Sequence, residues 1–98
     1  MSRVIVHPKI KDEYMTKLVA KTQKLKVGAG DEDGTQVTPL ISTDQMQRVS
    51  NYVKSGIQSG ATLTLGGDKA DRDDGNFYQP TIFDNVKVEA TIAQEEIF

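Results

Sequence analysis

The spacing of hydrophobic and polar positions changes several times along the chain, and each spacing indicates a different element. Val4-Ile5-Val6 is a run of β-branched residues, which predicts a strand. Pro8 follows at a position where the first turn of a helix tolerates proline, because that amide needs no partner. Apolar residues then recur near helical spacing, and Gly28 supplies the predicted stop. The apolar positions of this first helix are Ile10, Tyr14, Leu18 and Leu25.

A second helix is predicted to begin at Thr43. Ser42 followed by Gln45 forms a capping box, in which each side chain can bond to the other residue's backbone amide. Ile41 is expected to pack on Met46 as a hydrophobic staple. The apolar face of this helix comprises Met46, Val49, Val53 and Ile57.

Strands are predicted after the second helix. Gly60 fits the left-handed position that ends such helices, and Ala61–Leu65 then alternates at period two before a pair of glycines. The polar stretch Asp68–Gly75 is a loop. Thr81–Phe83 indicates a strand near an edge, since Pro80 cannot donate to a ladder. The order strand, helix, helix, strand, strand predicts an α/β layer in a single domain, residues 1–98.

Composition narrows the class of protein. The 98 residues are 37% apolar, which suffices for one small domain with a modest core. A formal charge of -2 gives no basic surface for nucleic acid. Cysteine is absent, so the chain carries no disulfide, thiolate metal site or cysteine nucleophile, and a reducing cytoplasm is the expected location. No apolar run approaches the roughly 20 residues that span a bilayer, so no membrane partner is expected.

Several short motifs can be set aside. Gly28-Ala29-Gly30 lacks the third glycine of a dinucleotide fingerprint, because Asp33 stands there. The acidic stretches Asp31–Gly34 and Asp71–Gly75 lack the spacing of a calcium loop and are interpreted as solvated turns. His7 is the only histidine, which excludes a histidine metal cluster, and its expected role is structural at the corner before the first helix.

Glu95 and Glu96 are adjacent carboxylates close to the ring of Phe98. Neighbouring residues of an extended segment point in different directions, so one carboxylate is expected to turn inward and the other to stay solvated. Residue chemistry does not show which of the two glutamates turns inward. The alternative to a functional site is a charged surface turn. A carboxylate can accept hydrogen bonds from both hydroxyls of a ribose, and a ring can support a flat nicotinamide. The pair is therefore compatible with a cofactor site.

Motifs along nearly the whole chain resemble, in order, those of the NAD(P)-dependent aldehyde dehydrogenase family. Ser2–His7 resembles the strand that follows the family's catalytic cysteine, and Ile92–Phe98 resembles its Glu-Glu-Ile-Phe cofactor motif. Thr38 stands where the family usually has glycine, and Asn76 replaces an aromatic residue. Further matching segments are Asp12-Glu13-Tyr14, Leu25–Gly28, Pro39-Leu40-Ile41, Gly60–Gly67 and Gly75–Thr81.

The resemblance implies a fragment of a catalytic domain, from just after the cysteine to the cofactor motif, with a partial three-layer α/β fold. It implies an oxidoreductase that oxidises an aldehyde with NAD or NADP and without a metal. The nucleophilic cysteine and the glutamate base would lie upstream, so the fragment is expected to be inactive alone. The implied partners are the aldehyde, the nicotinamide cofactor, the remainder of the catalytic and cofactor domains, and further copies in a homo-oligomer.

The resemblance also assigns roles by motif position. Glu96 is expected to hold the nicotinamide ribose, and Phe98 to pack near the nicotinamide ring. Gln45 and Arg48 lie on the helix whose counterparts can reach the cofactor, although Gln45 also has its capping role. No residue of the chain is assigned to the catalytic step. The alternative is a small free-standing α/β binding or interaction module whose terminal glutamates are surface residues.

Overall fold

A computed structural model describes residues 2–98, which form three α-helices and one two-stranded sheet. A short 3-10 helix, Pro8–Ile10, precedes the first α-helix, and His7 caps it by accepting a hydrogen bond at Nδ1 from the Lys9 amide at 3.2 Å. His7 is therefore structural, as predicted. In chain order the elements are α1 Lys11–Thr22, α2 Thr43–Gln58, β1 Thr62–Leu65, β2 Ile82–Asp84 and α3 Thr91–Gln94.

The predicted start of α2 is confirmed, but only part of its predicted cap forms. The Gln45 amide donates to Ser42 Oγ at 3.1 Å, so Ser42 satisfies one of the free amides of the first turn. The side chain of Gln45 bonds elsewhere. The predicted staple is wrong, because Ile41 is 94% exposed. Leu40, one residue earlier, packs against Met46 and its neighbours instead.

Gly60 ends α2 as predicted and turns the chain into β1. Its φ of 88° lies in the left-handed region, where glycine avoids the Cβ clash. The Gly60 amide bonds to the Ile57 carbonyl and the Ala61 amide to the Gly56 carbonyl, which is the Schellman arrangement. β1 pairs antiparallel with β2, and Leu63 faces Phe83.

The first helix is shorter than its apolar spacing predicts. α1 ends at Thr22, and no residue of α1 is buried. The next amides bond three residues back, Lys24 to the Lys21 carbonyl and Leu25 to the Thr22 carbonyl, and the Lys26 carbonyl then accepts hydrogen bonds from the amides of Gln36 and Val37 at 2.9 and 3.1 Å. These backbone bonds hold the chain after α1 in a closed loop. Gly28 lies inside that loop and does not cap the helix.

The predicted strand over Val4–Val6 does not form. These residues belong to no strand or bridge in the part of the chain that the structure describes, and Ile5 is fully exposed. Arg3 Nη1 donates to the carbonyl of Ala93 at 2.6 Å and ties this segment to α3. β-branched residues favour a pleated conformation, but a strand also needs a neighbour that completes the hydrogen-bond ladder.

The core is small and lies between α2 and the sheet. Its buried members are Met46, Val53 and Tyr78, and the partly buried side chains packed against them are Leu40, Val49 and Phe83. Two open cavities of about 490 Å³ each flank the N-terminal segment, one towards α2 and α3 and the other between α1 and β2. None of the helices is both long and apolar enough to cross a membrane, as far as residues 2–98 are concerned.

Candidate functional site

The segment Thr91–Phe98 runs back along α2 and is attached to it at three levels. At the first level, Ile92 is buried against Gly56. A Cβ at Gly56 would lie only 2.8 Å from Ile92 Cδ1 and 2.9 Å from Phe83 Cζ. The absence of a side chain at Gly56 therefore allows α3 and β2 to approach the helix this closely.

The second and third levels are hydrogen bonds from side chains of α2. Tyr52 donates its hydroxyl hydrogen to Glu95 Oε2 at 2.6 Å. Gln45 Nε2 donates to the main-chain oxygen of Phe98 at 2.7 Å. Residues 45, 52 and 56 follow helical spacing and lie on one side of α2, while 92, 95 and 98 follow each other in the opposite direction. The segment is thus held antiparallel to the helix.

This attachment distinguishes the two carboxylates. Both glutamates are exposed, but Glu95, which has extended backbone angles (φ −105°, ψ 154°), accepts a hydrogen bond from Tyr52 of α2. Ile97 faces the same way and lines the cavity beside α2. Side chains alternate along an extended segment, so Glu96 and Phe98 lie on the opposite, outward face. Glu96 is exposed and makes no hydrogen bond or ion pair within residues 2–98, and Phe98 is 79% exposed.

The structure brings two of the four sequence-predicted cofactor residues, Gln45 and Phe98, into contact with each other. Gln45 contacts Phe98 through its main-chain oxygen, and the Arg48 guanidinium lies 5.9 Å from the ring centroid of Tyr52, within the range of a cation–π contact. Glu96 is carried by the same segment but touches none of the other three. Sequence reasoning missed Tyr52, although its helical spacing from Gln45 and Arg48 was the available signal.

A second polar cluster joins two loops that the sequence predicts to be solvated turns. Arg72 pairs with Glu32 at 2.9 Å and with Asp74 at 2.6 Å, and its Cζ lies 4.1 Å from the ring centroid of Phe77. These turns are mostly exposed, as predicted, but they are also joined to each other, which the sequence did not indicate. The hydrogen bonds from Arg72 lower the pKa of Glu32 and the pKa of Asp74, and those two carboxylates raise the pKa of Arg72.

This cluster offers no cation site. Each of its carboxylates is already paired with the guanidinium of Arg72, which would compete with a bound cation. Nowhere in the described chain do three or more His, Cys, Asp or Glu side chains come together in a way that could hold a metal ion. The cluster's position, at the junction of two loops and away from α3, indicates a structural role.

The helices and the two-stranded sheet form part of an α/β domain, and comparison with known proteins identifies the family. The model of the aldehyde dehydrogenase family matches residues 1–98. The mitochondrial aldehyde dehydrogenase of Leishmania tarentolae is 42% identical over 97 residues, which cover 99% of this chain and 19% of that protein. The chain therefore belongs to the aldehyde dehydrogenase family, and it spans about a fifth of the length of the relatives it matches.

Solved structures agree with this assignment. An aldehyde dehydrogenase from Bacillus cereus in complex with NAD⁺ matches with a TM-score of 0.94 at 42% identity, over 99% of this chain and 20% of that one. The betaine aldehyde dehydrogenase of Staphylococcus aureus, also in complex with NAD⁺, matches with a TM-score of 0.94 at 35% identity, over 98% of this chain and 20% of that one. The predicted fold class, a partial α/β domain of the aldehyde dehydrogenase type, is confirmed.

Proposed function

We propose that the chain is part of an enzyme that oxidises an aldehyde to a carboxylic acid and supplies the nicotinamide-ribose side of its cofactor site. Family membership over the whole chain supports the reaction class. In this reaction the aldehyde carbon loses a hydride, which reduces the nicotinamide, and gains an oxygen from water, with release of protons. The bound cofactor supplies the hydride acceptor, and this chain's residues position it.

The observation that carries the proposal is the outward face formed by Glu96 and Phe98. The Glu96 carboxylate has no partner within residues 2–98, so its oxygens are free to accept hydrogen bonds from the two hydroxyls of a ribose. Phe98 presents a largely uncovered ring next to it. A flat nicotinamide can pack against such a ring. The residues present therefore fit the ribose and nicotinamide end of the cofactor.

Gln45 and Arg48 contribute from α2. Gln45 supports Phe98 through its main chain, so its first role is to hold the motif. Arg48 is exposed beside Tyr52, and its guanidinium is available to donate a hydrogen bond to the cofactor. The NAD⁺ complexes among the similar structures favour NAD for this chain as well. We assign no metal ligand to this chain.

The remaining parts of the active site must come from elsewhere in the full-length protein. The chain has no cysteine, so the thiol nucleophile of the family cannot be one of its residues. Several large apolar side chains are exposed, and we expect the rest of the catalytic and cofactor domains to cover them. These residues include Val4, Ile5, Ile41 and Val88. Assembly of the full-length protein into a homo-oligomer stays a prediction.

The test is Glu96→Gln in the full-length protein, followed by single-turnover measurement of NADH formation. The amide cannot replace both acceptor oxygens, so the nicotinamide end loosens while adenine and pyrophosphate contacts elsewhere retain most of the affinity. A displacement of about 1 Å can slow such a reaction roughly a hundredfold. Glu89→Gln, an exposed glutamate before α3, is the matched control and should leave the rate unchanged. An unchanged rate in Glu96→Gln would remove Glu96 from the site.

A further inference from the structure

We propose that Tyr52 is a positioning residue that decides which of the two adjacent glutamates faces the cofactor. Its hydroxyl holds Glu95 against α2 at 2.6 Å, and Glu96 is thereby turned outward. The inference rests on the proposed role of Glu96, and it concerns a residue that does not itself touch the cofactor.

The sequence of the segment shows why a contact that distinguishes the two glutamates is needed. Glu95 and Glu96 are identical side chains, so the segment could turn about its axis and present either carboxylate outward with the same chemistry. In an extended segment such a change moves every side chain to the opposite face. Phe98 would then turn towards α2 together with Glu96. Ile97, which lines the cavity beside α2, favours the observed arrangement, and the hydrogen bond from Tyr52 to Glu95 adds a polar contact that distinguishes the two glutamates.

Tyr52 is built to make that contact. Its ring is half-buried beside Val49 and Val53 in the wall of the cavity, and the Arg48 guanidinium lies over it at 5.9 Å from the centroid. Its position on α2 places the hydroxyl within hydrogen-bond distance of Glu95. A hydroxyl-to-carboxylate distance of 2.6 Å falls in the range of charge-assisted hydrogen bonds, which are stronger than neutral ones.

The contacts on either side of Glu95, made by Ile92 and by Gln45, do not replace the hydrogen bond from Tyr52. The packing of Ile92 against Gly56 fixes α3, which ends before Glu95. The bond from Gln45 reaches the main-chain oxygen of Phe98, and a main-chain oxygen does not distinguish one side chain from another. Within residues 2–98, the Tyr52 hydroxyl is thus the polar group that binds a side chain of this glutamate pair, and it binds that of Glu95.

The experiment uses the full-length protein and compares Tyr52→Phe, Glu95→Leu and the double variant. Hydrogen–deuterium exchange of peptides covering residues 92–98 is measured without cofactor, and single-turnover NADH formation with it. Tyr52→Phe should raise deuterium uptake in this segment and slow hydride transfer roughly tenfold, as expected for loss of a hydrogen bond to a charged group. The double variant should be no slower than either single variant, because both remove the same contact.

Two further variants separate positioning from general destabilisation. Glu95→Gln keeps an acceptor oxygen for the Tyr52 hydroxyl and should retain most of the rate that Glu95→Leu loses. Tyr78→Phe removes another tyrosine hydroxyl bond, the one donated to the Gly67 carbonyl at 3.1 Å, far from the motif. It should change neither deuterium uptake in residues 92–98 nor hydride transfer.

The outcomes distinguish this inference from the proposed function. Unchanged uptake in Tyr52→Phe, together with additive rate losses in the double variant, would overturn the role of Tyr52. Raised uptake with no loss of rate in either Tyr52→Phe or Glu96→Gln would support Tyr52 as the residue that orders the segment, while overturning the role of Glu96. Raised uptake with non-additive rate losses supports both.

Discussion

The guanidinium of Arg72 lies 2.9 Å from Oε1 of Glu32 and joins loops that are 40 residues apart in the chain. Asp74 binds the same guanidinium, and the ring of Phe77, which is buried, lies 4.1 Å from its Cζ. Arg72 therefore stabilises the position of one loop against the other.

The first prediction is that Arg72→Gln lowers the melting temperature of the chain at neutral pH and that this difference disappears in acid. The pKa of Glu32 lies below its ordinary value of 4.5 and that of Asp74 below 3.8, because Arg72 binds their charged forms. Their contribution is fully present above those ordinary values and is lost as pH falls through the lowered folded-state pKa values. Circular dichroism melts from pH 7 to pH 2 measure the difference.

The matched control is Lys17→Gln, which removes a pair with Glu13 whose side chains are both 70% exposed. Exposed pairs of this kind contribute little to stability. Its melting temperature should differ little from the unsubstituted chain at any pH. A gap between Arg72→Gln and the unsubstituted chain that persists at pH 2 would mean that packing over Phe77, and not the ion pairs, carries the effect.

The second prediction concerns the cap of α2. Ser42→Ala removes the acceptor of the Gln45 amide and should cost about 1 kcal/mol of unfolding free energy, as measured for such caps. Ile41→Ala is the control variant at the neighbouring position. The Ile41 side chain is 94% exposed and forms no hydrophobic staple, so its truncation should leave the denaturation midpoint almost unchanged. Urea denaturation of the variants tests both. A large loss in Ile41→Ala would contradict the exposed position of that side chain.

The sequence predicted some parts of this molecule well, and local physics explains which. The bounds of α2 depend on Ser42 and Gly60, whose effects act over a few residues of the same chain, so the signals were sufficient. The strand at Val4–Val6 was not predictable in this way, because a strand depends on a neighbour that pairs with it. The loop after α1 likewise depends on backbone bonds from Gln36 and Val37 to Lys26, which helical spacing does not reveal.

The distinction between local signals and contacts of distant residues also applies to the candidate site. Glu96 and Phe98 were expected from the motif, and their shared outward face agrees with that expectation without testing their role. The choice between Glu95 and Glu96 could not be made from residue types, because it depends on Tyr52, a residue 43 positions away. The link between Arg72 and Glu32 was missed for the same reason. Contacts between distant parts of the chain are where sequence patterns gave no signal.

The third prediction is that Gly56→Ala destabilises the chain, although alanine is the better helix former by about 1 kcal/mol. The added methyl group would meet Ile92 and Phe83 at distances well under van der Waals contact, so α3 or β2 must move. Lys54→Ala, at an exposed position of the same helix, controls for helix propensity. Urea denaturation midpoints of the variants and the unsubstituted chain test this prediction. A midpoint of Gly56→Ala equal to or above that of the unsubstituted chain would show that α3 can shift to make room for the methyl group.

The last prediction separates the chain from the full-length enzyme. Aldehyde oxidation needs a nucleophile that holds the aldehyde carbon, a base that activates water and a cofactor fixed at both ends. The chain contains no cysteine and offers only the nicotinamide-ribose side of the proposed cofactor site. Calorimetry should therefore detect no NAD binding to the purified chain, and absorbance at the NADH band should show no aldehyde oxidation, whereas the full-length protein shows both. Binding of NAD by the isolated chain that Glu96→Gln abolishes would refute this prediction, because it would place enough of the cofactor site in these residues to act alone.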